Sequence, residues 1–107
     1  MRCLLALAGL LLCAACAATP EEVKPERISP LDYRESTCQE LQSHIAANRV
    51  EEAELVQLMN AWPREGGGNV VRRIDIGRKL ANVRGKIEAA SDVYTRWNCA
   101  ERLKYIG

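Results

Sequence analysis

The chain has 107 residues, of which 48% are apolar and 27% charged, the size and make-up of one ordinary folded domain. Lys plus Arg number 15 against 14 Asp plus Glu, so the formal charge is +1 and no partner follows from overall polybasic or polyacidic character. Only 5% are aromatic, with no Phe, which speaks against a β-sandwich or barrel, and the single histidine, His44, excludes a multi-histidine metal centre.

Met1-Arg2 is followed by an uncharged run from Cys3 to Ala18 that ends in small residues. A positive charge before such a run is the layout of a secretory signal peptide over residues 1–18. At 16 residues the run is shorter than the roughly 20 that span a bilayer, and Thr19-Pro20-Glu21-Glu22 supplies no basic stop-transfer flank. Within it, Leu12-Cys13-Ala14-Ala15-Cys16 resembles the lipobox of bacterial lipoprotein precursors. That resemblance implies lipidation of Cys16 as the mature N-terminus. It also implies, through Ala17 in second place, sorting to the outer membrane with the domain facing the periplasm. The pattern departs from the family at Cys13, where an aliphatic residue is usual. Cleavage after Ala17 or Ala18, giving a soluble periplasmic or secreted protein, is the alternative. Cys13-Ala14-Ala15-Cys16 is formally a C-x-x-C, but it lies in an apolar run with neither a haem-site histidine nor a βαβ context.

Residues 19–31 hold Pro20, Pro25 and Pro30 among charged residues. Proline fixes φ and removes an amide donor, so this stretch reads as an extended, semi-rigid tether of about 40 Å, holding a domain (32–107) off a membrane. Thr37 with Glu40 forms a capping box, and Ser36 with Gln39 a second in the neighbouring frame. From there Cys38, Leu41, Ile45, Leu55, Met59 and Trp62 recur at helical spacings, predicting a helix over about 37–62 whose stripe thins at Asn48 and Glu52. Pro63 ends it, and 63–69 reads as a glycine turn. A second helix, about 70–103, carries Ile76, Leu80, Val83, Ile87, Ala90, Tyr94 and Trp97 at alternating spacings of four and three, the pattern of a coiled-coil-like seam. Beside it runs a small-residue row, Gly77, Ala81, Gly85 and Ala89. Interior glycine costs about 1 kcal/mol relative to Ala, so two of them suggest the close approach of another backbone; tolerated surface glycines are the bland alternative.

The expected fold class is therefore all-α: an antiparallel helical hairpin, preceded by a signal peptide and a Pro-rich tether. Cys3 and Cys13 leave with the signal and Cys16 goes to lipid, leaving Cys38 and Cys99 in an oxidising compartment. Both fall at the open end of the hairpin when residues are counted out from the turn. A structural disulfide between them is expected, clamping the end opposite the glycines; a redox pair or a metal site is disfavoured.

No nucleophile elbow, P-loop, zincin or dinucleotide motif is present, and no cofactor is expected. His44 reads as a surface or stripe-edge histidine, and Glu51, Glu52 and Glu54 as a solvated face. Charge segregates, with net −4 over residues 32–56 and net +5 over 64–86. Complementary flanks of the seam account for this. The sharper reading is an anion-binding face of Arg72, Arg73, Arg78, Lys79, Arg84 and Lys86 for lipid head groups or envelope polysaccharide; export argues against nucleic acid. Val50, Val56, Leu58, Val71, Ile74 and Val93 fall off the seam. A second apolar strip near the turn, of Leu58, Trp62, Val70, Val71 and Ile74, is the expected docking surface for an envelope protein or a second copy. The sum is a non-enzymatic envelope lipoprotein, similar to pilotins and accessory secretion subunits in size and class only.

Overall fold

The computed structural model describes residues 19–61 and 67–106, with only the backbone described for 67–70 and Ile106. Among them there is no strand, and three helices form: α1 (Cys38–Ala61), α2 (Gly67–Arg96) and α3 (Cys99–Ile106). The all-helical class and the pairing of two long helices are as expected. Residues 1–18, Trp62 and most of the expected turn lie outside the described residues, as does the Val70 side chain.

Helix α1 starts where its cap dictates. The Thr37 hydroxyl accepts the Glu40 amide at 3.1 Å and the Thr37 carbonyl accepts the Leu41 amide at 2.9 Å, satisfying two donors of the first turn. At its other end a carbonyl lacks its usual partner. Met59 C=O would accept the amide of residue 63, but residue 63 is proline and has none. The guanidinium of Arg73, itself buried, donates to that carbonyl instead.

The seam is built from the predicted stripes and divides into two clusters. Leu55, Met59, Ile76, Leu80 and Val83 pack towards the turn. Leu41, Ala90, Val93 and Cys99 pack at the opposite end, with Tyr33, Cys38, Ile45, Tyr94 and Trp97 around them. The division falls at Asn48 and Glu52, where the sequence interrupts the stripe. Asn48 is buried and its Nδ2 donates to the His44 carbonyl at 2.9 Å. Glu52 pairs with Arg84 across the helices at 2.8 Å. The Glu52–Arg84 pair fixes which residues face each other across the seam, because a slipped register would leave both charges unpaired, whereas Asn48 is satisfied within its own helix.

Residues 19–36 correct the expectation of a spacer standing off the domain. They form a strap along α2, with short 3-10 turns at Pro20–Glu22 and Pro30–Tyr33. The Arg84 guanidinium donates to the carbonyls of Pro20 and Val23 while holding Glu52. Further on, the Glu26 amide donates to the Ala81 carbonyl at 2.9 Å, and Asn82 Nδ2 donates to the Glu26 carboxylate at 3.1 Å. At about 100° per residue, Arg84 lies on the flank that meets Glu52 of α1, and Ala81, Gly85 and Asn82 step from there around to the side of α2 turned away from α1. The strap thus crosses the back of α2, and the prolines that keep it extended also keep it from competing as a helix.

Gly85 makes the crossing possible. A Cβ there would run into the Glu26 carbonyl oxygen and come within 3.1 Å of both its carbon and Ile28 Cδ1. The backbone that the small-residue row anticipates is therefore the strap, and not α1. Gly77 has only Met59 Cε, at 3.9 Å, in that position.

The strap also changes what is exposed. Val93, expected off the seam, is buried in the same cluster as Tyr33 of the strap, and Val56 is half-buried against the first cluster. The second long helix is also shorter than expected at its end. It stops at Arg96, and Asn98 takes φ 54°, a left-handed conformation that asparagine tolerates better than most residues. The Asn98 carbonyl then accepts the Arg102 amide as α3 begins. This reversal turns Cys99 inward, where it is fully buried and bonded to Cys38 with the Cα atoms 5.4 Å apart. The clamp is placed where the sequence puts it.

Candidate docking surfaces

Among the described residues no three His, Cys, Asp or Glu side chains gather as metal ligands, and no helix is long and apolar enough to cross a membrane. His44 is exposed, with its Nε2 3.0 Å from the Tyr33 hydroxyl and the two rings tilted at 5.1 Å. This contact ties the end of the strap to α1. Burial, and then the charge of Asp32, hold the Tyr33 phenol above its ordinary pKa of 10.0.

The six basic residues proposed as one anion-binding face are not brought together. Arg73 is buried on the Met59 carbonyl, and Arg84 is held among Glu52, Pro20 and Val23. Both serve the fold, so they correct that part of the expectation. Arg84, with three bonds from one guanidinium, uses the planar donor fork that distinguishes Arg from Lys. Arg72, Lys79 and Lys86 recur every seven residues on one stripe, with Lys79 held to Asp75 at 3.3 Å. Arg78 is exposed elsewhere on α2.

Several grooves border the described part of the hairpin. One of about 530 Å³ is lined by Leu58 of α1 and by Val71, Arg72, Asp75, Ile76 and Lys79 of α2. Leu58 is 49% exposed and Val71 68%, an unusual state for large apolar side chains facing a common groove. These two belong to the apolar strip expected near the turn. Ile74 is also exposed, but it does not line this groove; Trp62 and the Val70 side chain lie outside the described residues. A second groove, about 440 Å³, runs between Gln42, Ile45, Ala46 and Arg49 of α1 and Ser91, Tyr94 and Thr95 of α2. The third, about 230 Å³, lies beside the strap and includes Glu26, Glu88 and Asp92. The second groove is not legible in the stripe pattern, which gives Ile45 and Tyr94 wholly to the seam. The flanking small residues Ala46 and Ser91 were the available signal.

No family model, curated protein or solved structure matches the chain.

Proposed function

We propose that the chain is an exported, non-enzymatic envelope lipoprotein. In this reading Cys16 carries the lipid, the outer membrane holds the protein facing the periplasm, and the clamped hairpin docks a protein partner. The observation that carries the reading is the Cys38–Cys99 pair. Disulfides of this structural kind belong to oxidising compartments, and this one follows an apolar leader with a lipobox-like cysteine. The groove between Leu58 and Val71 is the docking surface of choice. It pairs large exposed apolar side chains with the charged rim of Arg72, Asp75 and Lys79, the arrangement that interfaces favour.

Intact-mass measurement on the membrane fraction tests the first half. A lipid increment is expected on a chain beginning at Cys16, with Cys38 and Cys99 linked in non-reducing peptide maps. An unmodified chain beginning at Ala18 or Thr19, or free thiols at both positions, overturns it. For the second half, Leu58→Asp with Val71→Asp is expected to abolish assembly while leaving helical circular dichroism unchanged. A wild-type domain that stays monomeric and partnerless removes the docking role.

A further inference from the structure

We infer that the flank carrying Ile45, Ala46, Arg49, Ser91, Tyr94 and Thr95 is the face that the hairpin lays against the phospholipid surface holding its anchor. This rests on the lipoprotein reading above and adds an orientation to it.

The first argument is where the anchored segment reaches the domain. The strap is fastened from its first residues, with Pro20 and Val23 carbonyls on Arg84 and Arg84 on Glu52. Only residues 16–19 then separate a lipidated Cys16 from a fixed point on the hairpin, and four extended residues reach about 13 Å. The domain cannot stand about 40 Å away, as a free tether would allow.

The second argument is which flank that point occupies. Ile45, Arg49, Glu52 and Val56 follow spacings of four, three and four, so they form one stripe of α1. Arg84, Ser91 and Thr95, at seven and four, form one stripe of α2 in the same way. Glu52 and Arg84 mark the strap-covered part of this flank. The rest of it, about one to three turns further along, is the open groove of about 440 Å³. That groove therefore opens on the same flank as the point where the anchored segment is fastened.

The third argument is chemical. The lining of this groove holds one cation, Arg49, and no carboxylate, whereas the groove beside Leu58 sets Asp75 among Arg72 and Lys79, and the groove beside the strap sets Glu26, Glu88 and Asp92 against Arg27. Anionic head groups attract Arg and repel carboxylates. Tyr and Arg both suit the boundary between acyl chain and head group, since each has an apolar body with a polar tip. Tyr94 is half-buried and Ala46 and Arg49 are exposed, so the face is available.

The experiment uses the full lipidated chain in vesicles of phosphatidylethanolamine and phosphatidylglycerol doped with a photoactivatable phospholipid. Adducts mapped by mass spectrometry are expected severalfold enriched in peptides holding Ala46 and Arg49 or Tyr94 and Thr95, relative to those holding Leu58 and Val71. Ala46→Glu with Thr95→Glu, both at exposed positions, is expected to remove the enrichment while thermal stability stays unchanged. Lipid present on Cys16 with adducts spread evenly, or centred on Leu58 and Val71, overturns the orientation alone. Absence of lipid on Cys16 overturns the lipoprotein reading and the orientation with it.

Discussion

Arg73 donates to the Met59 carbonyl that Pro63 leaves without an amide partner. A buried cation is costly unless it is hydrogen-bonded, and a helix C-terminus, with its unpaired carbonyls and negative dipole end, is a favourable place to bond it. Arg73→Met keeps most of the aliphatic packing and removes the donor. It is expected to destabilise the domain by about 1–3 kcal/mol, measured by urea unfolding.

Arg84 joins three elements through one guanidinium: the strap by two carbonyls, α1 by Glu52, and α2 by its own backbone. Lys carries the same charge without the planar fork and cannot reproduce all these bonds. Arg84→Lys is therefore expected to lose about 1–2 kcal/mol, and Arg84→Ala about 2–4 kcal/mol, because Glu52 is then left half-buried and unpaired. Hydrogen exchange supplies the specific reading. The Glu26 amide, bonded to the Ala81 carbonyl, should lose protection before the amides of α1 do.

The disulfide closes a loop of 61 residues, worth about 4 kcal/mol if it acts by restricting the unfolded chain. Cys38→Ser with Cys99→Ser should lower stability by about that amount in urea. The loss should fall first on the cluster of Leu41, Ala90 and Val93, into which Cys99 packs. A variant that keeps its stability but loses an activity would point instead to redox chemistry at this pair.

Tyr33 gives the fold a dependence on high pH. Its phenol is held above 10.0, first by burial and then by Asp32, so the folded protein binds this proton more tightly than the unfolded chain. The stabilisation is fully present below the unfolded value and is lost as pH rises through the folded one. Melting curves between pH 8 and about 11 are expected to show a loss at the alkaline end that Tyr33→Phe reduces. The same variant removes the bond to His44, so it should begin slightly less stable at neutral pH.

What the sequence discloses depends on whether the signal is periodic. The stripe from Ile76 to Trp97, the interruption of the first helix's stripe at Asn48 and Glu52, and the facing cysteines all repeat or count along helices, and each reappears in the fold. The strap has no period. Its prolines specify an extended backbone but are silent on whether that backbone is docked, which is decided by Arg84 and Gly85 from far along the chain. The burial of Val93 has no periodic signal for the same reason, since the cluster that buries it includes Tyr33 of the strap. The break at Asn98 carries no glycine or proline to mark it, so a helix running on towards residue 103 was the natural expectation. Of the docking surfaces, Leu58 and Val71 were legible as apolar positions off the stripe. The basic set was not, because charge alone does not separate a solvated Lys79 from a buried Arg73.

The two glycines of α2 test the strap most directly. Both sit inside a helix, where replacing glycine by alanine ordinarily gains about 1 kcal/mol through backbone entropy. At Gly77 the new methyl would find Met59 Cε at 3.9 Å, an ordinary contact, so the gain should be realised. At Gly85 it would meet the Glu26 carbonyl, which cannot rotate away like a side chain and which belongs to the residue whose amide is bonded to Ala81. The strap must lift, losing that bond, at an expected net cost of about 1–3 kcal/mol. Opposite signs for Gly77→Ala and Gly85→Ala in urea unfolding are therefore expected. A Gly85→Ala variant as stable as Gly77→Ala, with the Glu26 amide still protected from exchange, would mean that the strap does not cross α2 at this point.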